Sequence, residues 1–461
     1  MASSPGTPPA RATEQLRTSR HGHLQLYASY AESSSGTKVQ KGRALQLMKA
    51  LVFGVEPQPW DPPGSESTRL QRLAQSPVAL TTIADPQLLR PDWVITRPLL
   101  AGICGSDAKQ IFMDFADDGY DNAMSAFASF PQVLGHEVVA EVVALGPDAT
   151  GVEVGQRVVL NPWLSCVPRG VSPACPACRA GDFNLCWSFD AGPISRGIHT
   201  GVSSDATGGF AELMPAHDSM LIPVPETVSD EQAVLADPFS VSLHAVTRHP
   251  PRNCAKVLVY GAGSLGCTTV SVLKTLFPQV EVAVVARFEA QADMVRSIGA
   301  DLVLSDQPRL GLIEHLASWS GATLRAPFAG LPFAHPGKID LVYDTIASPE
   351  TLEVGARVLA TRGSLVQTGV SNPGRWEWTP LYFKEISVIG SNAFAVEEIN
   401  GVRKHAIAHY LDLVTSRGVD LSAMLTHTFS LEDWHEAFVA LADQETSRAI
   451  KVAFDMRTTL R

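Results

Sequence analysis

The 461-residue chain has few charges and no long apolar run. Only 18% of its residues are Asp, Glu, Lys or Arg, and no hydrophobic stretch approaches the roughly 20 residues that cross a bilayer, so no membrane partner is predicted. A basic surface is also missing. The net charge is −11, and no Lys/Arg-dense run interleaved with aromatics appears, which argues against a nucleic-acid groove. Cysteine is sparse: seven in all, an odd number, with no signal-peptide pattern at the start. That count disfavours a secreted disulfide scaffold. Thiolates kept reduced in a cytosol and occupied by metal fit the C-x2-C spacing better, so the expected location is the cytoplasm. What the chain does have is a 45% apolar content, enough at this length to bury at least two cores.

Composition changes along the chain. Residues 1–47 are rich in Ser, Gly, Thr and other polar side chains without helical or strand period, and are read as a poorly ordered arm. From MKALVFG onward, short β-rich runs divided by Gly and Pro dominate. DWVITRPLLAG, HEVVAEVVALG and GQRVVLNPW predict strands of a small, closed antiparallel unit over residues 48–238. Near Ser229 the character shifts. SDEQAVLA opens with a Ser/Gln capping box, and from Ala255 strands alternate with helical patterns as a parallel sheet requires. KVLVY, EVAVVA, KIDLVYD, GSLVQTG and ISVIGS are the strand candidates, with helices such as LGCTTVSVLKTL and FEAQADMVRSIG between them. Residues 239–423 are therefore predicted to form a doubly wound α/β domain. Residues 424–461, with LTHTFS and AIKVAFD, return to strand character and are expected to complete the first domain. No internal repeat is present.

The few cysteines are concentrated. Cys166, Cys175, Cys178 and Cys186 form the run C-x8-C-x2-C-x7-C, and four thiolates able to close round one ion are the pattern of a structural zinc site. The gap after Cys166 leaves two options open: a longer loop back to the ion, or a three-cysteine site with another donor. Cys104 stands apart in LLAGICGSD, with His136 and Glu137 following in LGHEVV. Such donors suit an open site, and open sites do chemistry. Taken alone, the same residues read more readily as a buried thiol and a satisfied strand-end histidine.

The turn Gly261-Ala262-Gly263-Ser264-Leu265-Gly266 directly follows the apolar strand KVLVY and directly precedes a helical run. A bare GxGxxG is weak; this placement makes it a dinucleotide signature. Gly261 permits the tight turn, Gly263 the approach of a pyrophosphate, Gly266 close helix packing, and the helix N-terminus supplies unpaired N–H groups. An absence is equally informative. The acidic residue that would hold the ribose hydroxyls at the end of EVAVVA is replaced by Ala286-Arg287. A carboxylate would repel a 2′-phosphate, whereas a guanidinium holds one by charge and fork geometry, so NADP is favoured over NAD. The alternative is that Arg287 faces solvent.

AGICGSD, LGHEVV, the CPAC and NLC cluster, ADPFSVSLHA, GAGSLG, KEISVIGS and AIKVAF together resemble the zinc-containing medium-chain alcohol dehydrogenases, including their threonine/sorbitol dehydrogenase-like members, over residues 48–455. The resemblance implies a GroES-like β-rich catalytic domain holding a catalytic and often a structural zinc, and a Rossmann domain for the nicotinamide cofactor. It assigns Cys104, His136 and the acid of ADPFSVSLHA, Asp237, as ligands of the catalytic zinc. Many members use cysteine at that third position and polyol dehydrogenases tend to use glutamate. An Asp before Pro is also an ordinary helix N-cap. Glu137 matches a carboxylate that steadies the metal or briefly enters its coordination. Ser106 matches the hydroxyl that receives the alcohol's proton, and the histidine that often continues the relay is replaced by Lys109, which substitutes only with a lowered pKa and is otherwise read as a surface or phosphate-facing lysine. Asp107 is expected to orient the loop carrying Cys104. His244 lies near the cofactor side in relatives, although a histidine on a largely apolar helix is usually satisfied locally. Trp163, Trp187, Phe189 and the segment FMDFADDGYDNAMSAFASF are candidate walls of the substrate cleft. Two departures stand out: the long separations of Cys104 from His136 and of Cys166 from Cys175.

The expected function is reversible, zinc-dependent oxidation of an alcohol to a carbonyl with NADP or NAD as hydride acceptor. One rival is a polyol or amino-alcohol dehydrogenase using NAD, separable by a substrate panel. Another is a catalytically silent nucleotide-binding scaffold of the same fold, which predicts cofactor binding without hydride transfer. The apolar edge strand ISVIGS, which relatives of this fold join across a two-fold axis, predicts a homodimer or homotetramer.

Overall fold

Lys256–Tyr260, Glu281–Ala286 and Ile339–Asp344 are runs in which most residues are apolar, the pattern of strands covered on both faces. In the computed structural model, which describes residues 46–63, 67–114, 123–306, 308–372 and 374–457, they form the centre of a six-stranded parallel sheet. Its order is Leu302–Ser305, Glu281–Ala286, Lys256–Tyr260, Ile339–Asp344, Leu359–Gln367, Ser387–Gly390. Alternate residues feed two cores. Val257, Val259, Val282 and Val284 share one with Leu243, Val270, Leu273 and Tyr410; Leu258, Tyr260, Ala283 and Val285 share the other with Leu312, Leu316 and Val354. The strand order reverses beside Lys256–Tyr260, which opens a crevice at the carboxyl ends of the central strands.

The second sheet has seven strands with Trp93–Gly102 as its hub. Glu137–Leu145, Lys451–Asp455 and Met214–His217 all pair with it. Arg157–Leu160 and Leu221–Pro223 extend one side and Leu425–Phe429 the other. Every pair is antiparallel except Leu425–Phe429 with Lys451–Asp455, and the end strands of the order are not paired with each other. A three-stranded sheet of Val78–Ala84, Leu47–Phe53 and Gln132–Val133 packs into the same core. The arm expected at 1–47 falls almost wholly outside the described residues. At the far end of the chain Lys451–Asp455 returns to the hub strand, with Ala453 opposite Gly102. The six strands of the parallel sheet thus lie, in chain order, between Leu221–Pro223 and Leu425–Phe429.

The two sheets share buried contacts. Leu99, Leu100, Val139, Val159 and Trp163 belong to the same cluster as Val257 and Val259. The linking segment carries the expected capping box: Ser229 Oγ accepts from Gln232 N at 3.2 Å, and Gln232 Oε1 accepts from Ser229 N at 3.1 Å.

Candidate metal and nucleotide sites

A cleft of about 2060 Å³ is lined from both sheets. Cys104 caps the helix Gly105–Ile111, and the buried Asp107 accepts its backbone N–H at 3.1 Å, which fixes the loop as expected of that residue. Gly135, at φ +94°, turns the chain into the strand Glu137–Leu145. A Cβ there would lie 2.5 Å from the Phe210 ring, so the position before His136 demands glycine. Gly102 then opposes Glu137 in register, and both sequence motifs arrive at one edge of the sheet. One donor atom from each of Cys104, His136 and Glu137 lies within 4.8 Å of the other two. His136 Nδ1 faces Asp107 Oδ1 at 3.5 Å, the kind of carboxylate that orients a metal-binding imidazole. Burial alone would depress the His136 pKa, but Asp107 and Cys104 hold it well above its ordinary value.

Asp237 lines the same cleft from the first turn of the helix Ala236–Arg248. The residue before that helix is Leu235, so Asp237 is not its N-cap. Its carboxylate is buried, Oδ2 has no partner among the described residues, and burial pushes its pKa up to about 7. The cluster of mutually close donor atoms takes in Glu137 and not Asp237, but an orphaned buried carboxylate in the same cleft is a donor that a cation there would satisfy. Sequence reasoning missed the group on the other side. Lys451, of the motif AIKVAF, is fully buried; its Nζ pairs with the Glu137 carboxylate and donates to Ile103 O at 3.1 Å. Burial opposes its charge, yet Glu137 keeps its pKa raised. The only hint was a lysine inside an apolar strand. Gly102 makes room for this pair, since a Cβ there would come 2.4 Å from Glu137 Oε2. Ser106 also lines the cleft. Lys109 does so too, but its Nζ donates to the carbonyl of Val370 across the opening, and burial lowers its pKa.

The glycine turn occupies the crevice of the parallel sheet. Gly261 sits at φ +98°, and a Cβ there would be 2.5 Å from Thr345 Oγ1; a Cβ on Gly266 would be 2.0 Å from Gly261 O. Gly263 differs. A Cβ there would meet nothing within 4 Å, because that side opens on the cleft. The helix Ser264–Leu276 starts from Gly263 without a side-chain cap, so its first N–H groups are left for an anion. Leu265 lines the cleft, and Ser264 Oγ donates to Ile450 O at 3.3 Å, tying the turn to the returning strand. Past Ala286, Arg287 is exposed at the cleft, its guanidinium 5.4 Å from the Phe288 ring centroid, with no carboxylate partner among the described residues.

The cysteine run folds into a lobe of its own. Cys175 caps the short helix Pro176–Ala180, which ends at Gly181 with φ +93°. The Sγ atoms of Cys166, Cys175, Cys178 and Cys186 all lie within 4.8 Å of one another, so the long gap after Cys166 does bring that thiol back to the cluster. Backbone N–H groups point at the sulfurs: Cys175 N to Cys166 Sγ at 3.3 Å and Ser188 N to Cys186 Sγ at 3.3 Å. The hydrogen bond from Cys178 pulls Cys186 down to about 5. All four are free thiols, with the donor chemistry and spacing of a closed zinc site.

Trp163, Phe112, Met124, Phe127 and Phe130 line the cleft, as do Ile198 and His199. Trp187 is not among its walls and is 67% exposed; Phe189 instead packs on Phe127, with ring centroids 4.8 Å apart. Residues 115–122 of the long aromatic segment lie outside the described residues. His244 is off the cleft and satisfied locally, its Nδ1 2.5 Å from Glu397 Oε1.

Residues 90–226 match the family model of the alcohol dehydrogenase GroES-like domain, and residues 264–409 that of the zinc-binding dehydrogenases. The chain belongs to the zinc-binding medium-chain dehydrogenases. This dehydrogenase is 29% identical over 382 residues to (R,R)-butanediol dehydrogenase of Saccharomyces cerevisiae, an alignment spanning 79% of the chain and 92% of the relative. It is 28% identical over 358 residues to the starvation-sensing protein RspB of Escherichia coli, spanning 77% and 89%. The solved structure of rspB from Escherichia coli, complexed with NADH, shares its fold: TM-score 0.65 at 22% identity, covering 89% of this chain and 99% of that one. The dehydrogenase joins a GroES-like domain to a Rossmann-like parallel-sheet domain and is a zinc-associated, NAD(P)-linked oxidoreductase of the alcohol dehydrogenase superfamily. Among its described residues no helix is long and apolar enough to cross a membrane.

Proposed function

We propose that this chain reversibly oxidises a primary or secondary alcohol to a carbonyl, with NADP favoured over NAD. The observation that carries the reading is that one cleft holds both the Cys104, His136, Glu137 cluster and the Gly261–Gly266 turn. Cys104, His136 and Asp237 would hold the zinc, with Glu137 close by and neutralised by Lys451. When bound, zinc supplies the Lewis acidity that lowers the pKa of an alcohol in the cleft, and the nicotinamide supplies the hydride acceptor. The chain's own residues do the rest. Asp107 holds the His136 ring and the Cys104 backbone in place; Ser106 receives the alcohol's proton; Gly263 and the helix start behind it seat the pyrophosphate. Lys109, committed to Val370 O, bridges the two sides of the cleft, which supports a positioning role over an outer proton relay. Trp163, Phe127 and Phe394 wall the reacting carbon from water.

A carboxylate at Asp237 in place of a cysteine favours a second, narrower reading, a polyol or amino-alcohol dehydrogenase. For the main reading, Cys104→Ser is expected to keep its circular dichroism and melting profile while alcohol turnover falls at least about a hundredfold, the scale of losing charge stabilisation at a reacting oxygen. Unchanged oxidation by that variant and by metal-stripped protein would overturn it.

A further inference from the structure

We propose that the cleft takes an alcohol bearing an apolar, aryl-sized group on the reacting carbon, in preference to a polyol. The inference rests on the alcohol-oxidation reading above, narrows its substrate, and tells against the polyol reading that Asp237 suggests.

The walls beside the metal cluster are aromatic and fixed. His136 meets His199 with ring centroids 4.7 Å apart, Trp163 stands edge-on to His199 at 5.9 Å, and Phe394 edge-on to Trp163 at 6.1 Å. The rings thus run without a break from a candidate metal ligand along the cleft they line. Their backbone is held. Thr200 N donates to Pro162 O at 2.8 Å and Leu164 N to Ile198 O at 3.1 Å, pairing Trp163 with His199 as a short antiparallel bridge. The preceding loop is fixed by Arg169, fully buried, whose guanidinium donates to the carbonyls of Ala191, Ile194, Ser195 and Gly197 at 2.8–3.0 Å.

A second apolar segment is laid on that loop. Ile198 N donates to Phe127 O at 3.1 Å and Ser129 N to Val202 O at 3.0 Å. No residue of the short helix Ala123–Phe127 is buried; Met124 is 42% and Phe127 38% exposed, and both line the cleft. Large apolar side chains left open inside a cleft, on backbone that is held, are surface that an apolar ligand takes from water.

The polar groups that a polyol would need are already engaged. Gln110 Nε2 donates to Gln132 Oε1, and Gln132 Nε2 to Val202 O at 3.3 Å. Lys109 donates to Val370 O, and Asn392 Nδ2 to Asn184 O at 3.0 Å. Of the carboxylates near the cluster, Asp107 accepts from Cys104 N and faces His136, Glu137 is paired with Lys451, and Asp237 is the orphan that a cation would satisfy. Ser106 serves the reacting oxygen. His199 and the enclosed indole N–H of Trp163 are two groups against the several hydroxyls of a polyol, and each hydroxyl without a partner would lose its water uncompensated.

The test compares 1-phenylethanol, isopropanol and sorbitol, using zinc-loaded protein and saturating cofactor. Wild type is expected to show kcat/KM for 1-phenylethanol at least about tenfold above that for either other alcohol, the scale of apolar contacts in a pocket. Phe127→Ala should lower the ratio of kcat/KM for 1-phenylethanol over isopropanol about tenfold. Met124→Ala should lower the same ratio, and Phe127→Leu, which keeps an apolar wall, should recover most of it. Calorimetric binding of 1-phenylethanol should weaken in parallel in the two alanine variants, with circular dichroism unchanged. If wild type prefers sorbitol, or if neither alanine variant moves the ratio, the inference fails while alcohol oxidation stands. If wild type oxidises none of the three, the alcohol-oxidation reading falls and takes this inference with it.

Discussion

Arg287 is the residue on which the proposed preference for NADP turns. It stands where the ribose would be gripped, exposed at the cleft beside Ala286, and no carboxylate among the described residues competes for its guanidinium. Arg287→Ala is expected to weaken NADP binding about ten- to a hundredfold, the scale of a charge-assisted hydrogen bond to phosphate, and to leave NAD binding nearly unchanged. Equal losses for both forms, read from paired titrations, would remove the assignment. Asp92, which does not line the cleft, supplies a pH test of stability. Its carboxylate is held down to about 2, first by the paired hydrogen bonds from Arg90 at 2.9 and 3.0 Å and then, against burial, by His217 at 3.2 Å. A carboxyl whose folded pKa is depressed stabilises the fold above its ordinary value and loses that contribution as pH falls through the folded one. The stability advantage of wild type over Asp92→Asn should therefore be constant above pH 4, shrink between about 4 and 2, and stay below about 1 kcal/mol because the pair is partly solvated. Thermal melts across that range check it.

At the scale of elements, the cysteine lobe is the part least able to stand alone. Its helix Pro176–Ala180 has 5 residues, far short of the length at which an isolated helix is stable, and its own buried apolar cluster is little more than the cysteines themselves. Metal is what can close it. Metal analysis is expected to return two zinc ions per chain in wild type and one in Cys175→Ser, with melting lowered by roughly 5–10 °C. A wild-type content of one ion, unchanged by the substitution, would leave the lobe without its metal. The lobe is also tied to the parallel-sheet side: Val396 N donates to Gly181 O at 3.2 Å, and Asn392 Nδ2 to Asn184 O at 3.0 Å. Asn392 and Phe394 line the cleft, so disturbing the lobe is expected to raise the KM for cofactor or substrate as well.

Over the whole molecule, the parallel sheet ends in an open edge. Among the described residues Ser387–Gly390 pairs only with Leu359–Gln367, Val388 on it is 46% exposed, and just before it Tyr382 and Phe383 are 76% and 66% exposed. An apolar edge of this kind is a template for pairing and needs a cover. A second copy joined edge to edge across a two-fold axis supplies one, and sedimentation at micromolar concentration is expected to show a dimer or tetramer. A monomer there would mean that the edge is covered some other way.

Much of this protein was legible before any coordinates, because its signals are local. The runs KVLVY and EVAVVA, apolar at nearly every position, announce strands buried on both faces; the first and last glycines of GAGSLG announce a turn that tolerates no side chain at either position; the C-x2-C pair sets two thiols one helical turn apart. Each depends on residues within a few positions of one another. The tertiary structure alone decided what distant segments do together. Lys451 meets Glu137 only because the last strand pairs with Trp93–Gly102 in a register that places both beside Gly102. Asp237 is a buried, unpartnered carboxylate and not a cap only because its helix begins one residue earlier, at Ala236, facing the cleft. His199 lies in a stretch without period, and its ring reaches His136 through a loop held by the buried Arg169. Spacing along the chain encodes local backbone geometry, whereas the register of non-adjacent strands and the seating of loops arise only when the cores close, and there the remaining groups of the site are brought together.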